Sequence, residues 1–141
     1  LTIQLALLLV VEVLLFLSYS VHDARFHWAT HFLVAVIVAI IVMAIYLRVR
    51  KAPGPRFLLM LVLGLHVFAM APDLLFRAGA PHAAWMDVFL GHVSAHYMPG
   101  GDTTWLVIAV TAITGYVVAL TRWLRSQAPE AGTIDRGGVD R

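Results

Sequence analysis

Seven histidines and no cysteine decide what chemistry this chain can do. Without thiolates there is no disulfide, iron–sulfur cluster or thiol nucleophile, so a metal would be held by His, Asp or Glu. His27 and His31 stand four residues apart, and so do His92 and His96. On a helix each such pair shares one face and can chelate one ion. Neutral imidazole ligates zinc, copper, iron and nickel. His66 and Asp73 are seven apart and nearly eclipsed if their helix continues through Pro72. The expected metal ligands are therefore His27, His31, His66, Asp73, His92 and His96, serving one or two divalent ions. His22 and His82 lie in or beside loops, where polar residues need no special role. For His66 a structural hydrogen bond is as good an account as ligation.

These side chains must be positioned by helices in a membrane. The chain is 61% hydrophobic and 13% charged, a balance outside the soluble range. Four apolar runs stand out, at residues 3–21, 29–47, 57–71 and 104–124. A helix needs about 20 apolar residues to cross some 30 Å of hydrocarbon. The third run meets this if it starts near Pro55 or continues through Asp73 to Phe76. The first run lacks a basic leader, so it reads as a retained helix and not a cleaved signal. Residues 83–97 form an amphipathic stretch suited to the interface. The expected fold is an all-α integral membrane protein with about four transmembrane helices plus one short interfacial helix. Residues 1–125 form a single bundle, and 126–141, poor in anything to bury, form a disordered tail.

Arg48, Arg50, Lys51 and Arg56 crowd one tight loop, and Arg122 and Arg125 close the last helix. Basic residues stay cytoplasmic, which puts that loop and both termini on the cytoplasmic side of a plasma or bacterial inner membrane. Trp28, Trp85 and Trp105 fall near the outer boundary and Trp123 near the inner one, as an aromatic belt requires. All seven histidines then belong to the extracytoplasmic half, His66 roughly 8 Å below its helix end at 1.5 Å per residue. Glu12 lies roughly 13 Å down its own helix. It is expected to be neutralised or hydrogen-bonded, with Ser18, Thr111 or Thr114 as candidate partners. Gly64 and Gly115 read as close-packing positions between helices, and Gly54, Gly100 and Gly101 as turns. No phosphate loop or serine nucleophile motif is present, and a net charge of +2 does not point to nucleic acid.

The run His27-Trp28-Ala29-Thr30-His31-Phe32, leading into a long apolar helix, resembles the His-x-x-Thr-His signature of the bacterial membrane-bound metal-dependent hydrolases. Pro72-Asp73 at a helix end resembles that family's Pro-Asp motif, and His92 or His96 stands for its third element. The likeness covers about residues 22–105. It departs in having Trp28 and Phe32 after the two histidines, in Pro-Asp following the Thr-His element, and in a His-x-x-x-His third element. The resemblance implies metal binding and, further, hydrolysis.

On this reading an extracytoplasmic metal ion, zinc first and manganese or iron next, activates water against a lipid or lipid-linked headgroup. Asp87 or a spare histidine is the expected general base, although Asp87 would lie on the face opposite His96 if that segment were one helix. Two other classes compete. A haem or redox subunit would use two opposed axial histidines, such as His66 with His31 or His92. An accessory subunit of a larger membrane complex would use the histidines only as hydrogen bonders.

Overall fold

The computed structural model describes residues 1–19, 27–81 and 83–127. His22, His82 and the tail from 128 lie outside the described residues. The described chain is helical, without strands: α1 (Thr2–Tyr19), α2 (His27–Arg50), α3 (Leu58–Arg77), a 3-10 turn (Ala84–Val88), α4 (His92–His96) and α5 (Gly101–Gln127). Three of these, α2, α3 and α5, are long and apolar enough to cross a membrane, and α1 is a shorter apolar helix. Only 28% of the apolar windows of α2 and α3 and 11% of that of α5 is buried. Most of their apolar surface therefore faces outward, as it does on helices surrounded by lipid.

α2 is the central element, packed against both α3 and α5, while α1 leans mainly on α3. Alanine makes the close approaches. Ala35 and Ala39 on α2, Ala69 on α3 and Ala109 on α5 are almost completely buried. A methyl at these places lets backbones come together, the strategy of helix pairs that gain nothing from excluding water. The expected glycines do not do this. A β-carbon added at Gly64 or Gly115 would meet nothing within 4 Å.

Two apolar clusters sit at opposite ends. Met43, Leu47 and Tyr116 pack with Leu58, Leu120 and Trp123 near the α2–α3 loop. There the Tyr116 hydroxyl donates to the Pro53 carbonyl. At the other end Leu15 and Met70 pack with Val11 and Trp28. That end is also pinned by Thr30 of α2, whose hydroxyl donates to the Asp102 carboxylate of α5. Thr30→Val removes a partly buried bond to a charged acceptor, so we expect a loss of about 1.5–3 kcal/mol, read from denaturant unfolding in detergent.

The segment 83–97 is not one interfacial helix. Leu90 and Gly91 both adopt positive φ, 56° and 71°, and break it into the 3-10 turn and α4. The third apolar run does continue through Pro72, giving a 20-residue helix.

Candidate metal centre

Three imidazoles converge where the N-terminus of α2, the C-terminus of α3 and α4 meet. One potential ligand atom from each of His31, His92 and His96 lies within 4.8 Å of the others. The His31 and His92 rings stack in parallel with centroids 4.6 Å apart, and His96 stands edge-on to both. Asp73 completes the set. Its Oδ2 is 3.3 Å from His31 Nε2 and its Oδ1 is 3.5 Å from His92 Nε2. His31, His92 and Asp73 are buried, and His96 is exposed and opens the group to the outside.

Each contributor is placed for a reason. Proline has no N–H, so Pro72 leaves the Phe68 carbonyl of α3 without its helical donor, although the helix runs on to Arg77. The adjacent Ala69 carbonyl accepts a hydrogen bond from His92 Nδ1 at 3.2 Å. A carbonyl can only accept, so the His92 proton is on Nδ1 and Nε2 points its other face at Asp73. This is the arrangement by which an outer hydrogen bond orients a metal-binding imidazole. A five-residue helix such as α4 is not stable alone. It is held to α3 by His92, to α5 by Trp105 Nε1 donating to the Ala95 carbonyl at 3.3 Å, and to the 3-10 turn by Asp87.

The His–Asp73 distances are longer than a direct charge-assisted bond. A charge-assisted N–H···O bond closes to about 2.7–2.9 Å. Ligand atoms around a tetrahedral ion with 2.0–2.1 Å bonds stand about 3.3–3.4 Å apart. The two His–Asp73 separations, 3.3 and 3.5 Å, exceed the first figure and lie near the second, each to a different carboxylate oxygen, and His31, His92 and His96 could hold an ion beside it.

Other expected site residues are placed elsewhere. His27 opens α2, but its side chain lies outside the described residues. His66 is fully buried within α3 and uses Nδ1 on Glu12 at 2.8 Å. Glu12 is thus partnered by His66. Thr111 and Thr114 instead return their hydroxyls to carbonyls of their own helix, Val107 and Val110. Asp87 takes the Ser94 amide on Oδ1 at 2.8 Å and the Ser94 hydroxyl on Oδ2. It therefore caps α4, and both of its oxygens are committed there. The Ser94 hydroxyl and then the Ser94 N–H hold the Asp87 carboxyl below its usual 3.8, against a smaller opposing effect of burial. A carboxylate depressed on folding stabilises above its unfolded pKa, and that contribution disappears as pH falls through the folded value. Amide exchange at Ser94, corrected for intrinsic pH dependence, should therefore accelerate as pH drops below about 3.8. It should be fast at all pH values in Asp87→Ala.

The contributions of Ala69, Ser94 and Trp105 had no signature in residue spacing. Comparison with known proteins adds no relative: no family model, no curated protein and no solved structure matches the chain.

Proposed function

We propose that this is a multi-pass integral membrane protein carrying a divalent-metal centre at its extracytoplasmic face. In this reading α1 crosses the bilayer along with α2, α3 and α5. Both termini are cytoplasmic, and the 3-10 turn and α4 lie at the outer interface. The basic residues support this orientation, because Arg48, Arg50, Lys51, Arg56, Arg122 and Arg125 belong to the ends opposite the histidine cluster.

The observation that carries the metal reading is that His31, His92 and His96 bring one ligand atom each within 4.8 Å of the others, with the Asp73 carboxylate beside His31 and His92. Three nitrogen ligands and one oxygen suit zinc best, with manganese or iron as alternatives. The exposed edge at His96 leaves room for water or a substrate oxygen. A bound metal would lower the pKa of that water to about 7. Asp73, with one oxygen facing His31 and the other facing His92, would hold the two imidazoles in place and leave the fourth position of a three-histidine site to water. A lipid or lipid-linked headgroup is the substrate class that reaches this depth, and metal-dependent hydrolysis is the reaction, in keeping with the resemblance of residues 27–32 and Pro72-Asp73 to the membrane-bound hydrolases.

A haem reading draws less support. His31 and His92 lie ring on ring and both present Nε2 to Asp73, whereas axial ligands must oppose each other across a porphyrin. Metal analysis of the purified protein with a visible spectrum on the same sample tests the proposal. Near-stoichiometric zinc, manganese or iron supports it, and turnover of a phospholipid or lipid-linked phosphate would add hydrolysis. A Soret band would replace it with haem. A folded protein with neither would point to an accessory subunit.

A further inference from the structure

A second pair of ionisable side chains lies apart from the metal centre. Glu12 of α1 and His66 of α3 meet with His66 Nδ1 2.8 Å from the carboxylate. His66 is completely buried and the Glu12 side chain is 12% exposed. The remaining ring nitrogen, His66 Nε2, is buried with no hydrogen-bond partner. Around the imidazole stand the edges of Trp28 and Phe32, at ring-centroid distances of 5.6 and 5.3 Å.

Charge accounting limits what this pair can bind. From α1 it is faced by Glu12 and from α2 by Trp28 and Phe32, neither of which ionises at ordinary pH. Among the described residues Glu12 and His66 form no ion pair except with each other. If Nδ1–H donates to an ionised Glu12, Nε2 is a bare lone pair and the pair carries one uncompensated negative charge. One proton, on Nε2 or on the carboxylate, makes the pair neutral; a second makes it a buried cation. Both charged states are costly in apolar surroundings. A metal ion is poorly served, because aromatic walls supply no third or fourth ligand.

We propose that Glu12 and His66 form an intramembrane proton-binding site that takes up and releases a single proton, independently of the metal centre. The inference rests on the membrane reading for its apolar surroundings and on nothing at the histidine cluster.

The test uses the full chain, labelled with 15N-histidine, in phosphatidylcholine nanodiscs. His66 ring-nitrogen resonances, assigned by their loss in His66→Gln, are followed across the whole pH range in which the helical circular dichroism is constant. The expected result is one transition between two protonation states of the pair. Glu12→Gln, which removes the compensating charge, should displace it by about one pH unit or more. Wild-type resonances that stay fixed over the entire folded range would overturn the proposal, whatever becomes of the variants. A transition unmoved in a folded Glu12→Gln would also overturn it; if that variant does not fold, the infrared carboxyl band of the wild type reports whether Glu12 shares the change. Recovery of wild-type protein from the aqueous fraction without detergent would instead defeat the membrane reading, a separate outcome.

Discussion

Replacing His92 with alanine should abolish binding of the proposed metal ion while leaving helices α1, α2, α3 and α5 in place. His92 is the most constrained of the three imidazoles. It is buried, its Nδ1 proton is committed to the Ala69 carbonyl, and its Nε2 stands 3.5 Å from Asp73. Disturbing an outer hydrogen-bond partner alone costs a metal site about 10–100-fold in affinity. Loss of an inner ligand should exceed the top of that range, so chelator competition should show a drop of more than about 100-fold. His31→Ala should do the same, since His31 supplies the opposing Nε2 at 3.3 Å from Asp73. His96→Ala should cost less, because His96 is exposed and a water can take its place. Metal content and the competition constant, measured together on folded protein, check the order. Equal retention of metal in His31→Ala and His92→Ala would remove the centre from consideration.

The second large effect is on stability. Glu12→Ala leaves His66 buried against Trp28 and Phe32 without its carboxylate partner. Removing one partner of a hydrogen-bonded pair so that the other is left buried and unsatisfied costs about 1–3 kcal/mol. Replacing both members together, Glu12→Leu with His66→Leu, should recover most of that loss, since two apolar side chains need no partner. Unfolding of the wild type, Glu12→Leu, His66→Leu and the double variant in mixed detergent micelles, followed by circular dichroism, gives the four free energies of the cycle. The non-additivity is the informative quantity: a double variant as unstable as the sum of the singles would mean that the contact contributes nothing specific. Gln4 of α1 also bonds to α3's entry loop, through the Arg56 carbonyl at 3.3 Å. That bond is exposed, so Glu12 should dominate the docking of α1.

The histidine spacing announced a site but did not define it. His92 and His96 do share one face, and both join the centre, as four-residue spacing on a helix requires. The run 83–97 concealed how they get there. Its pattern reads as one amphipathic helix, yet positive φ at Leu90 and Gly91 turns the chain and leaves α4 as a separate single turn. Spacing is a statement about one continuous helix, and it loses meaning across such a break. Asp87, an expected general base, becomes by the same turn the cap of α4. His66 shared the depth and type of a ligand but not its direction: its Nδ1 meets α1.

What the sequence alone determined is whatever depends on local composition. Apolar runs of helix-spanning length, basic residues gathered at one set of ends and the absence of cysteine are properties of short stretches, and they fixed the helices, their length and the permitted ligand types. The tertiary structure decided which side chains meet. That His31 stacks on His92, that Asp73 lies beside both, and that Glu12 finds His66 and not a threonine depend on how α1, α3 and α4 turn about α2. Buried Ala35, Ala39, Ala69 and Ala109 permit close helix packing, and the Ala69 carbonyl holds His92. Such contacts join residues distant in sequence, and a methyl group or a backbone oxygen carries no mark of its partner.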